Sequence, residues 1–222
     1  MPRIQFDAKT TKGEGEIFGN NEGKRPGIVA IHEWWGLNEH AKDIAARYAK
    51  EGFVVLAIDL FHGHTTKDAA EAGKLMSALD WTKAIAEIHG AVHTLRTHPS
   101  CTGKVAVTGF CMGGALTFAA ACNIEGLAAV VPFYGIPDAK IADYSKVSAP
   151  ILAHFAKKDA WAKPAAAEAI KKQLESAGKS MELHVYEEDH AFFNDTRPEV
   201  YGAASAKLAW ERTLAFLKKH CA

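Results

Sequence analysis

The 222-residue chain has no excess of charge of either sign: 26 Lys and Arg are matched by 26 Asp and Glu. A balanced chain sets up no long-range field for nucleic acid or for an anionic membrane surface, so neither partner is expected. It also lacks an apolar run approaching the ~18 residues of a membrane span. Its first residues, MPRIQFDAKT, carry no apolar signal core. Cysteine is scarce, with four at positions 101, 111, 122 and 221, and their spacing fits neither a secreted disulfide framework nor a C-x-x-C motif. Reduced thiols in a cytoplasmic protein are the expectation. Internal repeats, low-complexity tracts and interdomain linkers are missing as well. A hydrophobic content of 48% therefore suits one domain over residues 1–222 with a sizeable core.

What is present is an alternation of strand and helix patterns. Residues 3–18 read as an N-terminal hairpin split by Gly13 and Gly15. Strands are expected at 27–32, 53–59, 104–108, 127–133, 150–156 and 181–186. Helices are expected at 39–50, across a broken stretch from about 67 to 97, and at 112–122, 164–177 and 199–219. Such alternation predicts an α/β fold with a mostly parallel central sheet and helices on both faces. Ligands in these sheets bind beyond the carboxyl ends of the strands. That rule selects Glu33, Cys111, Asp159 and His190, each just after a predicted strand.

Cys111 carries the strongest signal, in Gly109-Phe110-Cys111-Met112-Gly113-Gly114 between a strand and a helix. This is the arrangement of a nucleophile elbow with a thiol in place of the usual serine hydroxyl. At a helix start, unpaired N–H groups and the helix dipole favour negative charge on sulfur or on a developing oxyanion. An isolated cysteine is usually a small buried hydrophobe, and Cys122 and Cys221 are read that way. The glycine frame reverses that reading for Cys111. Dinucleotide binding is disfavoured, because G-x-G-x-x-G needs glycine where Cys111 stands and no acidic residue ends the following strand.

A cysteine nucleophile needs a base, and the base needs an orienting partner. His190 and Asp159 fit these roles. Cys111, Asp159 and His190 follow the chain order of α/β-hydrolases, with spacings of 48 and 31 residues. Glu188 and Asp189 are alternative acids, but adjacency to the histidine is poor geometry for bridging to its ring. The oxyanion hole is expected from the backbone N–H groups of Met112 and Trp34. Beside it, Glu33 would raise the thiol's pKa or accept its proton according to distance. Trp34, Trp35 and Trp161 suggest a partly aromatic pocket. His62-x-His64 and His89-x-x-x-His93 have ligand-like spacings but no nearby third ligand, so no metal is expected.

The stretches His32-Glu33-Trp34-Trp35-Gly36-Leu37, Ala57-Ile58-Asp59-Leu60, Gly109 to Leu116, Phe133-Tyr134-Gly135, Lys158-Asp159 and Tyr186 to Phe192 resemble the dienelactone hydrolase family of α/β-hydrolases. The resemblance covers nearly the whole chain. It implies a triad of Cys111, Asp159 and His190, with Glu33 taking the thiol proton when substrate binding moves it. It also implies hydrolysis without metal or organic cofactor, the type reaction being 4-carboxymethylenebut-2-en-4-olide to maleylacetate through an acyl-thioester. A substrate pocket is expected at Trp35, Tyr134, Phe192 and Asn194, and a monomer acting on a small lactone or ester. The chain departs from the family at the arginines that hold the substrate carboxylate: Phe192-Phe193-Asn194 follows the histidine, with Arg197 three residues later. Weak binding of a dienelactone is the consequence expected. An esterase or thioesterase with the same triad, and a non-catalytic binding protein on the same fold, are the rival readings.

Overall fold

The structure is a computed structural model and describes residues 2–9, 11–19 and 23–222. Eight strands form one sheet. They are β1 (Arg3–Ala8), β2 (Thr11–Phe18), β3 (Arg25–Ile31), β4 (Val54–Ile58), β5 (Cys101–Phe110), β6 (Val130–Phe133), β7 (Ile151–Ala156) and β8 (Met181–Tyr186). Their spatial order is β1-β2-β4-β3-β5-β6-β7-β8. β1 and β2 are antiparallel, β2 runs antiparallel to β4, and every remaining pair is parallel. Six helices connect or flank them: α1 (Glu39–Lys50), α2 (Ala69–Ala78), α3 (Trp81–Thr97), α4 (Met112–Asn123), α5 (Pro164–Ser176) and α6 (Ala203–Cys221).

Both sheet faces are buried, and period-two alternation in the strands divides the core. Val29 and Ile31 pack on one side with Ile88 of α3, Leu116 of α4 and Ile170 of α5. Ile28 and Ala30 face the other side with Tyr48 of α1 and Leu217 of α6. Helix α4 is apolar on every side because it is enclosed on every side: Met112 through Cys122 are all buried. The broken helical stretch divides at Leu79-Asp80. The Asp80 side chain accepts from Lys83 N–H and caps α3.

The chain moves from β3 outward to β4 and then returns to the opposite side of β3 as β5. The direction of winding therefore reverses between β3 and β5, which opens a crevice at their carboxyl ends. Glu33 leaves the end of β3 and Cys111 the end of β5, the two strands being paired up to Ile31 and Gly109. Three expected starts shift by three residues or more, β6 beginning at Val130 rather than 127. β5 begins at Cys101 rather than 104, and α6 begins at Ala203 rather than 199. No helix of the described residues is long and apolar enough to cross a membrane.

Candidate active site

Cys111 occupies the turn between β5 and α4 with φ 55° and ψ −115°, a conformation that L-residues rarely adopt. The turn is held by Cys111 N–H donating to the Phe133 carbonyl and by Ala115 N–H donating to the Cys111 carbonyl, both at 3.1 Å. Its glycines are required by contact. A Cβ on Gly109 would lie 2.3 Å from the Gly113 carbonyl oxygen, and one on Gly113 would lie 2.5 Å from that of Ile31. Met112 is the first residue of α4, and Trp34 follows Glu33 beyond β3. Both line the same cleft as Cys111.

The structure brings Cys111, His190 and Asp159 together. His190 Nε2 lies 3.2 Å from Cys111 Sγ, and its Nδ1 lies 2.6 Å from Asp159 Oδ2. The other carboxylate oxygen of Asp159 accepts from the N–H groups of Trp161 at 2.7 Å and Ala162 at 2.9 Å. The loops carrying the acid and the imidazole are tied to each other, since Lys158 N–H donates to the Glu188 carbonyl at 3.0 Å. Glu188 is engaged by the Ser205 hydroxyl at 2.7 Å. Burial alone would lower the His190 pKa, but the hydrogen bonds to Asp159 and Cys111 outweigh it and push it up to about 10. Burial would raise Asp159, but the His190 contact and the two backbone donors hold it below its ordinary value. The imidazole is thus set to receive a proton from the sulfur side, with a carboxylate fixed behind it.

Glu33 is buried on the wall of the cleft. Tyr134 donates its hydroxyl to Oε1 at 3.3 Å and Asn194 donates Nδ2 to Oε2 at 2.7 Å. The hydrogen bond of Cys111 is to His190, and those of Glu33 are to Tyr134 and Asn194. Neighbouring His32 anchors this loop: Nδ1 contacts the Glu33 carbonyl at 2.5 Å and Nε2 accepts from Leu60 N–H at 3.1 Å. Burial lowers its pKa and favours the neutral ring that can donate on one side and accept on the other.

The cleft encloses about 710 Å³. Trp35 and Tyr134 line it as expected, but Phe192 and Asn194 do not. Phe192 is fully buried behind the wall, packed on Tyr134 and Tyr186, and Asn194 lies 1% exposed beneath Glu33. The positive φ of Ala191, 64°, turns the chain inward after His190 and accounts for both corrections. The cleft does include an arginine, although not at the position directly after the histidine. Arg197 lines the cleft with its guanidinium 5.7 Å from the Trp35 ring centroid, paired to Glu199 at 2.8 Å. Lys158 adds a second cation to the lining. Met76 of α2 and Trp81 of α3 also belong to the wall, and nothing in their local sequence pointed to the site. Among the described residues no group of three or more His, Cys, Asp or Glu is arranged to hold a metal. His62 instead faces Glu14 and Glu87 at 3.4 and 3.5 Å.

Comparison with known proteins agrees with this architecture. Residues 14–221 match the family described as Dienelactone hydrolase family. Protein usf of Aquifex pyrophilus is 35% identical over 229 residues, covering 98% of this chain and 97% of its own. A protein of Aquifex aeolicus (strain VF5) bearing the name "Putative carboxymethylenebutenolidase" is 30% identical over 230 residues, with 98% and 97% covered. Among solved structures, a "Putative Dienelactone Hydrolase" from Klebsiella pneumoniae subsp. pneumoniae MGH 78578 superposes with a TM-score of 0.87 at 26% identity. That match covers 98% of each chain.

Proposed function

The chain belongs to the dienelactone hydrolase family of carboxylic ester hydrolases, and we propose that it opens a lactone or small ester through an acyl-thioester on Cys111. The observation that carries this reading is the alignment of Cys111 Sγ, the His190 ring and Asp159 through contacts of 3.2 and 2.6 Å. His190, basic enough to hold the thiol proton, leaves sulfur to bond to the carbonyl carbon, and the negative charge moves onto the carbonyl oxygen. The N–H groups of Met112 and Trp34 are the donors assigned to that oxyanion. Collapse breaks the C–O bond, and His190 returns its proton to the leaving oxygen. His190 then deprotonates a water that attacks the thioester, releasing the acid and restoring the thiol.

Asp159 holds the Nδ1–H tautomer and stabilises the imidazolium. Glu33, held by Tyr134 and Asn194, serves as a second acceptor for the thiol proton once substrate entry turns it toward sulfur. The test is the spectrophotometric rate of 4-carboxymethylenebut-2-en-4-olide hydrolysis, with Cys111→Ala as the blank. Saturable turnover lost in the variant is the expected outcome. Turnover of a simple ester but not of the lactone would move the substrate while keeping the mechanism. Hydrolysis that survives in Cys111→Ala would overturn it.

A further inference from the structure

Trp161 is 78% exposed, whereas the next most exposed large hydrophobic residue, Val185, is 41% exposed. An indole left in water forfeits the burial that usually stabilises so large a ring. Its backbone is not loose, because Trp161 N–H donates to Asp159 Oδ1 at 2.7 Å. The ring is therefore rooted beside the orienting carboxylate and lines the cleft that contains Cys111. Among the described residues it has no aromatic partner.

The same cleft presents Trp34, Trp35, Trp81 and Met76, with the Trp34 and Trp35 rings 5.1 Å apart and edge-to-face. Charge does not set its preference: Lys158 and Arg197 are offset by Glu33, Asp189 and Glu199. At about 710 Å³ it is also sized for a ligand well beyond a single lactone ring. We propose that this site takes esters or lactones bearing an aromatic or similarly flat apolar group, and that Trp161 supplies the face that selects them. The proposal rests on the hydrolase reading above and names the substrate class of that site. Trp161 covers the aromatic arm while Cys111 attacks the carbonyl, so the selection acts mainly on KM.

The experiment compares ethyl 2-naphthylacetate with ethyl acetate, which share a leaving group, by acid release from wild type, Trp161→Ala and Trp161→Phe. In Trp161→Ala the ratio of kcat/KM for the aryl over the acetyl ester is expected to fall about fivefold, mostly through KM, and Trp161→Phe to recover most of it. A ratio unchanged within twofold, or an equal kcat loss on both esters, overturns the proposal. A second arm titrates 2-naphthylacetamide into Cys111→Ala and Cys111→Ala/Trp161→Ala, read by titration calorimetry. Trp161-dependent binding with no hydrolysis of either ester by wild type would sink the hydrolase reading and leave the aromatic site standing. Ester hydrolysis without that binding would do the reverse.

Discussion

At the scale of single residues, the groups proposed to carry the chemistry each sit just past a strand, where side-chain position follows from topology. Cys111, Asp159, His190 and Glu33 are such residues, and the structure gathers the first three within hydrogen-bonding contact. Phe192 and Asn194 follow a residue at φ 64°, and no spacing rule reveals which way a chain turns there. Arg197 was visible as a letter but not as part of the cleft for the same reason. Asn194 has a polar duty instead: its amide donates to Glu33 at 2.7 Å while its oxygen accepts from Thr196 N–H at 3.1 Å, which fixes the amide's orientation. Asn194→Asp would set a second carboxylate against Glu33 in a buried place. Two such groups cannot both ionise, so a loss of about 2–4 kcal/mol at pH 7 is expected. Urea unfolding at pH 5 and pH 7 checks it. The deficit should shrink at the lower pH as one carboxyl is protonated, and an equal deficit at both would refute the charge argument.

Elements were legible where local pattern decides them, as for α1 by its apolar periodicity and α4 by its glycine-framed start and unbroken apolar run, and their positions match the sequence reading to within a residue. Misread ends have tertiary causes. β5 starts early because Cys101 pairs with Arg25 across a register shift, so Thr102-Gly103, which reads locally as a turn, joins the sheet. α6 starts late because the Val200 and Tyr201 N–H groups close a turn onto the Arg197 carbonyl, while Gly202 N–H is tied to the Phe192 carbonyl at 3.0 Å. The elbow itself depends on how closely α4 approaches β3. Gly113→Ala would place a methyl 2.5 Å from the Ile31 carbonyl oxygen and 2.6 Å from that of His32. Backbone cannot yield there as a flexible side chain would, so α4 must back away from the loop that carries Glu33 and Trp34. The expected cost is about 2–3 kcal/mol of stability. A fall in kcat larger than any change in KM should accompany it, because the Met112 and Trp34 N–H groups proposed to share the oxyanion would be drawn apart. Thermal melts and steady-state kinetics on the purified variant measure the two separately, and a stable variant with wild-type kcat would show the contact to be yielding.

Across the whole molecule, the reversal of winding between β3 and β5 explains why residues 78 positions apart, Glu33 and Cys111, border one cleft, and this much follows from strand order. What strand order does not reveal is the polar junction by which the antiparallel edge is fastened to the parallel sheet. Arg3 of β1 bridges Glu14 of β2 and Asp59 beyond β4, at 3.1 and 2.7 Å, and His62 stands between Glu14 and Glu87 of α3. Glu87 is only 4% exposed, and its pKa is pushed from near 4.5 up to about 7. Burial is the main cause; Glu14 and Asp59 add to it, and His62 and Lys83 oppose it. A folded-state pKa above the unfolded value means that the native state holds a proton which the unfolded chain releases. The associated stability is present in full below about pH 4.5 and is lost as pH rises through about 7. Glu87→Gln keeps the shape without the titrating proton, so it should be more stable than wild type by about 2 kcal/mol at pH 8. The two proteins should converge near pH 4.5, where wild-type Glu87 is neutral in the fold. Chemical denaturation across that range decides the matter: a wild type more stable than Glu87→Gln at pH 8, with an advantage that fades toward pH 4.5, would mean that Glu87 is held as a charged partner of His62, and that the edge is fastened by an ion pair rather than by a protonated carboxyl.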